Sequence, residues 1–390
     1  MTMQSPSVAL VFGTRPEAIK IGPIYRALAA DASRLRPRVM VTGQHRELLH
    51  QMLAVFGMEP SHDLAVMSEG QTPASLTGLL VPQLTDLFAS EQPDMVLVQG
   101  DTTTTFAAAL AAFYNQIPIA HLEAGLRTNT KYSPFPEEIN RRLTSHLVDV
   151  HLAPTRRARH NLQGEGIDPR AIFVTGNTIV DALLWVKDRA PSLADTEYAW
   201  VDDLDGRTIL TTIHRRENLG VPFTSICLAL LELVRRHPQL NVVFPMHPNP
   251  RVRAAAHELL GGSPQVRLCE PPDYLVFVAL MQRMDIIITD SGGIQEEAPA
   301  LGLPVLVVRD TTERPEGIEA GVTRLVGTET NSIVGAALEL LENPSAYEAM
   351  ASGTNPYGDG RAAERVVAAL ECALGLSDAR PPDYDWRQSA

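Results

Sequence analysis

Thr289-Asp290-Ser291-Gly292-Gly293-Ile294-Gln295-Glu296-Glu297-Ala298 follows directly on the apolar run Ile286–Thr289. The run is short and β-branched, the turn holds two glycines, and Ile294–Leu301 has the spacing of a helix. A strand that ends in a glycine turn and feeds a helix is the repeating unit of a parallel α/β sheet. Ser291, Gly292 and Gly293 let backbone N–H groups face a pyrophosphate with no Cβ in the way. Glu297 lies about one turn into the helix, where a carboxylate can accept both hydroxyls of a ribose. A tight structural turn explains the glycines but not the acid beyond them.

The same rhythm extends outward from this unit. Thr208–Ile213, Val242–Met246, Val266–Cys269, Val305–Val308 and Thr323–Val326 read as further strands. Phe223–Arg236, Val252–Leu260, Tyr274–Gln282 and Ile333–Glu342 read as helices. The first half repeats the pattern, with strands at Val8–Phe12, Arg38–Thr42, Met95–Gln99, Ile117–Leu122, Val148–Ala153 and Ile172–Thr175. Its helices are Pro16–Ala30, Thr104–Asn115, Thr155–Gln163 and Thr178–Asp188. The rhythm loosens at Ala190–Gly206, where Pro191 and several aspartates cluster, and a domain boundary is expected there. The prediction is an α/β chain of two doubly wound, Rossmann-like domains, 1–189 and 190–360, with a ligand cleft between them. Gly360–Leu376 carries a strong helix pattern, and Pro381–Ala390 reads as a loose end.

Ligands of such sheets sit beyond the carboxyl ends of strands, so the polar clusters there are the candidates. Gly13-Thr14-Arg15-Pro16-Glu17-Ala18-Ile19-Lys20 is a strand-to-helix turn whose free N–H groups, with Arg15 and Lys20, suit an anion; the alternative is a plain turn with solvated cations. Asp101, after Met95–Gln99, either caps the next helix or serves chemistry, and the threonines at 102–105 compete for the cap. The next strand ends in His121-Leu122-Glu123-Ala124-Gly125-Leu126-Arg127, which can bring Glu123 into one crevice with Asp101. Pro136-Glu137-Glu138-Ile139-Asn140-Arg141 adds a further acid. Clustered carboxylates split their pKa values into acid and base roles, whereas glutamates in a first helical turn simply suit the dipole. In the second half, His214-Arg215-Arg216-Glu217 concentrates donors suited to phosphate, or forms a surface cluster paired with Glu217. His247 follows another strand, and two isolated histidines do not make a metal site. Arg314 adds a cation, and Phe277 either flanks a base or belongs to the core.

The chain has 390 residues, enough for two or three domains, and is 45% hydrophobic. Its 46 acidic and 33 basic residues give a net charge of −13, which lacks the basic footprint of a nucleic-acid binder. Three scattered cysteines, Cys227, Cys269 and Cys372, fit a reducing compartment. No signal peptide is visible in Met1–Ser7, and no apolar run approaches the ~18 residues of a membrane span, so a cytoplasmic protein is expected.

Together these motifs resemble the bacterial, non-hydrolysing UDP-N-acetylglucosamine 2-epimerases, from Gly13 to the Asn355-Pro356-Tyr357-Gly358-Asp359-Gly360 string. The resemblance implies the two-domain GT-B fold, with residues 361–390 crossing back to the N-terminal domain. It implies conversion of UDP-GlcNAc to UDP-ManNAc by elimination of UDP to a glycal and re-addition, with no cofactor and no metal. Lys20, Asp101, Glu123, Glu137, Arg141 and His214 match the family's catalytic set. Arg15, Phe277, Ser291, Gly292, Gly293, Glu297 and Arg314 match its nucleotide contacts. Gln44, Gln71, Glu138, Arg215 and His247 match parts of a site for a second UDP-GlcNAc acting as activator, although Glu47 and Gly70 stand where some members carry Gln and Arg. A homodimer is also implied. Epimerisation of a modified sugar such as a diacetamido uronic acid, glycosyl transfer to a separate acceptor, and nucleotide-sugar sensing are the alternatives. The last two leave the first-half carboxylates without a purpose.

Overall fold

The computed structural model describes residues 5–388 apart from 44, 45, 67 and 69. It divides into two compact units, one running to Ala182 and taking in Gly358–Asp385, the other comprising Leu183–Tyr357 and the residues from Trp386.

In the first unit, β1 (Ser7–Phe12), β2 (Arg36–Val41), β3 (Pro60–Asp63), β4 (Met95–Gln99), β5 (Ile119–Leu122), β6 (Val150–Ala153) and β7 (Ile172–Val174) form one sheet. Its order is β3-β2-β1-β4-β5-β6-β7. Every pairing is parallel; Leu10 of β1, for example, lies opposite Val39 on one side and Leu97 on the other. The connecting helices are α1 (Arg15–Leu28), α2 (Arg46–Phe56), α3 (Pro73–Glu91), α4 (Thr103–Tyr114), α5 (Glu137–Ser145), α6 (Arg156–Gly164) and α7 (Thr178–Lys187). The chain moves outward from β1 to β3 and then restarts at β4 on the other side of β1. The carboxyl ends of β1 and β4 are therefore the topological switch point, where open α/β sheets bind ligands. Val8 to Phe12 are wholly buried. Ala107, Ala108, Ala111 and Ala112 of α4 pack against Val96, Val98 and the Leu80, Leu84 and Phe88 stripe of α3. Removing a ring such as Phe12 would cost about 3–5 kcal/mol.

In the second unit, β8 (Thr208–Thr212), β9 (Asn241–Pro245), β10 (Val266–Cys269), β11 (Ile286–Thr289), β12 (Val305–Val307) and β13 (Thr323–Leu325) form a second parallel sheet. Its order is β10-β9-β8-β11-β12-β13, so its switch point lies between β8 and β11. The helices are α8 (Val221–Arg236), α9 (Pro250–Leu260), α10 (Tyr274–Met281), α11 (Gly292–Glu297), α12 (Pro315–Glu319), α13 (Thr330–Glu342) and α14 (Pro344–Ala351). The protein is thus α/β with two Rossmann-like units of the GT-B kind.

The two compact units divide within α7 and again before Gly358. One expectation changes. The stretch around Asp383–Asp385 is not loose: Tyr384 is buried, Asp383 pairs with Arg159 at 2.6 Å, and Asp385 pairs with Arg156 at 2.9 Å. Helix α15 (Ala362–Ala373) is anchored in the first unit, where Asp181 accepts the N–H groups of Ala362 (3.2 Å) and Ala363 (2.8 Å). From Trp386 onward the chain groups with the second unit, where Arg387 pairs with Glu319 at 3.3 Å. Among the described residues, no helix is long and apolar enough to cross a membrane.

Candidate active site

At the first switch point the turn after β1 is closed by Glu17. Its Oε2 accepts the N–H groups of Gly13 (3.0 Å) and Thr14 (2.7 Å), while Oε1 accepts the Thr102 hydroxyl at 2.7 Å. These two N–H groups are therefore occupied by the Glu17 carboxylate and are not free for an anion. Arg15 is half-buried and makes no hydrogen bond or ion pair among the described residues. Lys20 is no solvated cation, since its Nζ lies 2.5 Å from Glu123 Oε1 and the two side chains are 14% and 7% exposed.

Glu123 follows β5 with φ of +65°, a left-handed conformation that costs a non-glycine residue about 1 kcal/mol or more. Its other oxygen accepts Gln99 Nε2 at 2.6 Å, and Asn177 Nδ2 lies 3.2 Å from Oε1. Two residues on, Gly125 has φ of +90°, and a Cβ there would stand 2.2 Å from the Ala158 carbonyl oxygen, so only glycine fits. His121 is fully buried; its Nε2 donates to the Gly100 carbonyl at 2.7 Å, and burial pushes its pKa down to about 4.

Asp101 does not cap α4. Thr102 does, accepting the Thr105 N–H at 3.2 Å. The Asp101 carboxylate instead accepts from the Arg141 guanidinium, and its carbonyl accepts Asn140 Nδ2 at 3.0 Å. Glu137 and Glu138 do open α5, yet they differ. The buried Glu138 carboxylate accepts the N–H groups of Thr128 (3.0 Å) and Asn129 (3.1 Å), shaping that loop. Burial would raise it, but those bonds and Arg142 hold it below its ordinary value. Glu137 is raised, first by burial and then by the charge of Asp101, against its own backbone N–H and Arg141. The unit thus brings Asp101, Glu137 and Arg141 together and pairs Lys20 with Glu123.

At the second switch point Asp290 is wholly buried. It accepts the His214 N–H at 3.1 Å, the Arg215 N–H at 2.9 Å, Asn218 Nδ2 at 2.9 Å and His214 Nδ1 at 2.9 Å. Sequence reading passed over Asp290, as it did Gln99 and Asn177. Its only local signal is its place between a strand and the Ser-Gly-Gly turn. Ser291 N–H is taken by Thr289 Oγ1 at 2.9 Å, while Gly292 and Gly293, in the first turn of α11, have no intrahelical acceptor. A Cβ at Gly292 would sit 3.3 Å from Arg314 Cζ and 3.5 Å from an Arg215 guanidinium nitrogen, so both cations stand over that helix start.

The cations near this turn are in turn held by acids. Arg314 Nε donates to Glu296 at 2.8 Å, and Arg215 lies 3.5 Å from Glu313, which Arg309 also holds at 2.7 Å. Burial alone would raise the Glu313 carboxyl, but the Arg309 hydrogen bond and the charges of Arg314 and Arg215 bring it down to about 2. Glu217, expected among the local basic cluster, pairs with Arg309 at 3.0 Å. Glu297 accepts the Tyr274 hydroxyl at 2.8 Å. Phe277 is only half-buried and lies outside the core cluster of this unit. His247 stacks near His214 with ring centroids 6.3 Å apart. Partial burial and then the His214 charge lower its pKa. Gln71 Nε2 donates to the Val66 carbonyl at 3.0 Å. Gln44 and the side chain of Glu47 lie outside the described residues.

Comparison with known proteins bears on this arrangement. The family model described as UDP-N-acetylglucosamine 2-epimerase matches residues 26–371. The UDP-N-acetylglucosamine 2-epimerase of Yersinia pestis is 50% identical over 93% of this chain and 98% of its own length. That of Escherichia coli K12 is 49% identical over the same shares. Among solved structures, the UDP-GlcNAc 2-epimerase of Neisseria meningitidis bound to UDP-GlcNAc superposes with a TM-score of 0.84 at 47% identity, over 93% of this chain and 99% of that one.

Proposed function

The chain belongs to the UDP-N-acetylglucosamine 2-epimerase family, and on that premise we propose how its residues divide the reaction. It is an isomerase that converts UDP-GlcNAc to UDP-ManNAc. Carbon 2 of this sugar has no neighbouring carbonyl to acidify its hydrogen, so direct deprotonation is unfavourable. Loss of UDP from carbon 1 together with the carbon 2 proton solves this. The C1–O bond breaks, a C1–C2 double bond forms, and UDP takes the bonding pair. Re-addition of the same UDP oxygen to carbon 1, with a proton delivered to the other face of carbon 2, completes the inversion.

The observation that carries this reading is the contrast between two neighbouring carboxyls. Glu137 is raised by burial and by the Asp101 charge, while Asp101 is held by Arg141. Such a pair supplies one group that carries a proton and one that removes it, with roles exchanged in the reverse direction. Glu123, fixed by Lys20, Gln99 and Asn177, is the third member of the set. In the second unit the Gly292 and Gly293 N–H groups, Arg314 and His214 bear the developing diphosphate charge. Glu297 takes the ribose hydroxyls, Phe277 the uracil, and Arg15 is a further phosphate contact.

A second UDP-GlcNAc as activator and a homodimer are part of the same proposal. The position of Arg215 and His247 beside His214 supports the first. Exposed Phe113 and Tyr114 on α4 and Leu143 on α5 support the second. Three unpaired cysteines support a cytoplasmic location. Incubation of the purified protein with UDP-GlcNAc alone tests the activity: UDP-ManNAc should form with no acceptor present, and formation of neither epimer from the other refutes it.

A further inference from the structure

Asp290 is a buried carboxylate that the account above leaves unused, and it meets His214 twice, at the backbone N–H and at the ring. Its carboxylate is wholly buried, a costly position for a charge unless donors surround it. Four donors do: the backbone N–H groups of His214 and Arg215, Asn218 Nδ2, and the His214 ring at Nδ1. Burial would raise its carboxyl, but the His214 hydrogen bond and the other donors hold it below the ordinary carboxylate value. A carboxylate can only accept, so the ring nitrogen that faces it must carry a proton. His214 Nδ1 is therefore the protonated nitrogen, and Nε2 has no hydrogen bond among the described residues. The ring is 41% exposed, so Nε2 is open to a ligand. The same carboxylate ties down the backbone on which His214 and Arg215 stand.

We propose that Asp290 is a positioning residue of the epimerisation: by accepting from His214 Nδ1 it fixes the tautomer and ring orientation with which His214 meets the departing diphosphate through Nε2. The proposal rests on the assignment of His214 to the diphosphate. With Asp290 as counter-anion, His214 can hold a proton on both nitrogens and give a charge-assisted hydrogen bond to the UDP oxygen as the C1–O bond breaks. Asp290 faces the ring at Nδ1, the His247 ring stacks beside it, and Arg215 is the next residue along the chain.

Asp290→Asn separates this role from a purely structural one. The amide oxygen takes over the backbone donors, and its NH2 then faces His214 Nδ1. That forces Nδ1 to accept, so the ring can no longer carry protons on both nitrogens and a bond from Nε2 loses its charge assistance. The expected result is a kcat lower by about 10²-fold, in the range of positioned acid–base groups. KM for UDP-GlcNAc should stay within about threefold, because the oxygen that His214 meets gains its full charge only as the C1–O bond breaks. Combined with His214→Gln, Asp290→Asn should cost little more, because both act through one ring. NMR of the imidazole nitrogens in the unmodified protein, with His214 assigned by its loss in His214→Gln, should show Nδ1 protonated, and this reading needs no folded Asp290 variant. An unprotonated Nδ1 overturns the proposal. So does wild-type kcat in Asp290→Asn when His214→Gln is impaired. Wild-type kcat in His214→Gln overturns the underlying assignment of His214 and the proposal with it.

Discussion

Lys20 Nζ lies 2.5 Å from Glu123 Oε1, which ties the second turn of α1 to the residue just after β5. Both side chains are mostly buried, and Glu123 holds a left-handed backbone conformation. A pair in this setting gives modest net stability but is costly to break from one side.

Glu123→Gln and Lys20→Met are therefore each expected to destabilise the fold by about 3–5 kcal/mol, since each leaves a buried charge without its counter-ion. The double variant should be more stable than the sum of the two predicts. Urea unfolding of the four proteins checks this. Strict additivity would mean that the pair is not coupled.

Asp101→Asn tests the proton-transfer role most cleanly because Thr102, not Asp101, caps α4. The folded, UDP-binding variant should lose about 10²–10⁴-fold in turnover. Glu137→Gln should lose a similar factor, and the two losses should not multiply. Near-wild-type turnover in Asp101→Asn would remove it from the reaction.

Glu297 accepts the Tyr274 hydroxyl, which gives the proposed nucleotide site a supporting bond. Tyr274→Phe should weaken UDP binding by roughly 0.5–1.5 kcal/mol, and Glu297→Ala by more, roughly 1.5–3 kcal/mol. Titration calorimetry with UDP reads both. Unchanged affinity with collapsed turnover in Glu297→Ala would move it to the chemical step.

His121 supplies a pH test. Burial lowers its pKa from 6.5 to about 4, so the unfolded chain takes up a proton that the folded chain refuses. The associated stability is complete above pH 6.5 and is lost as pH falls towards about 4. The loss is on the order of 3 kcal/mol. His151, opposite it on β6 and pushed down to about 3, acts in the same direction. His121→Phe should flatten the fall in stability across that window, measured by denaturant unfolding at several pH values. An unchanged slope would mean that His121 is not buried neutral.

Much of this was legible in sequence, for definite reasons. The inner strands are short, buried, mostly apolar runs, and the residues just after them are those that the two switch points collect. Strand β3, Pro60–Asp63, is polar and lies at the sheet edge, so it gives no apolar signal. Helix α3 has a stripe at Leu76, Leu80, Leu84 and Phe88, but Pro82 inside it argues against a helix on local grounds. The capping box of Thr14 and Glu17 was visible as a pattern, and reading it would have shown that the turn's N–H groups are occupied. Partners brought from distant sequence, such as Asp290 for His214 or Asn177 for Glu123, carry no local mark. Likewise, Asp383 and Tyr384 look like part of a polar tail until the sheet that receives them is known.

The central claim is that carbon 2 is inverted by removal and return of a proton, and isotope exchange tests it most directly. In heavy water, conversion of UDP-GlcNAc should place deuterium at carbon 2 of UDP-ManNAc and, as the reaction reverses, at carbon 2 of recovered UDP-GlcNAc. UDP-ManNAc formed with no solvent deuterium at carbon 2 would contradict the account.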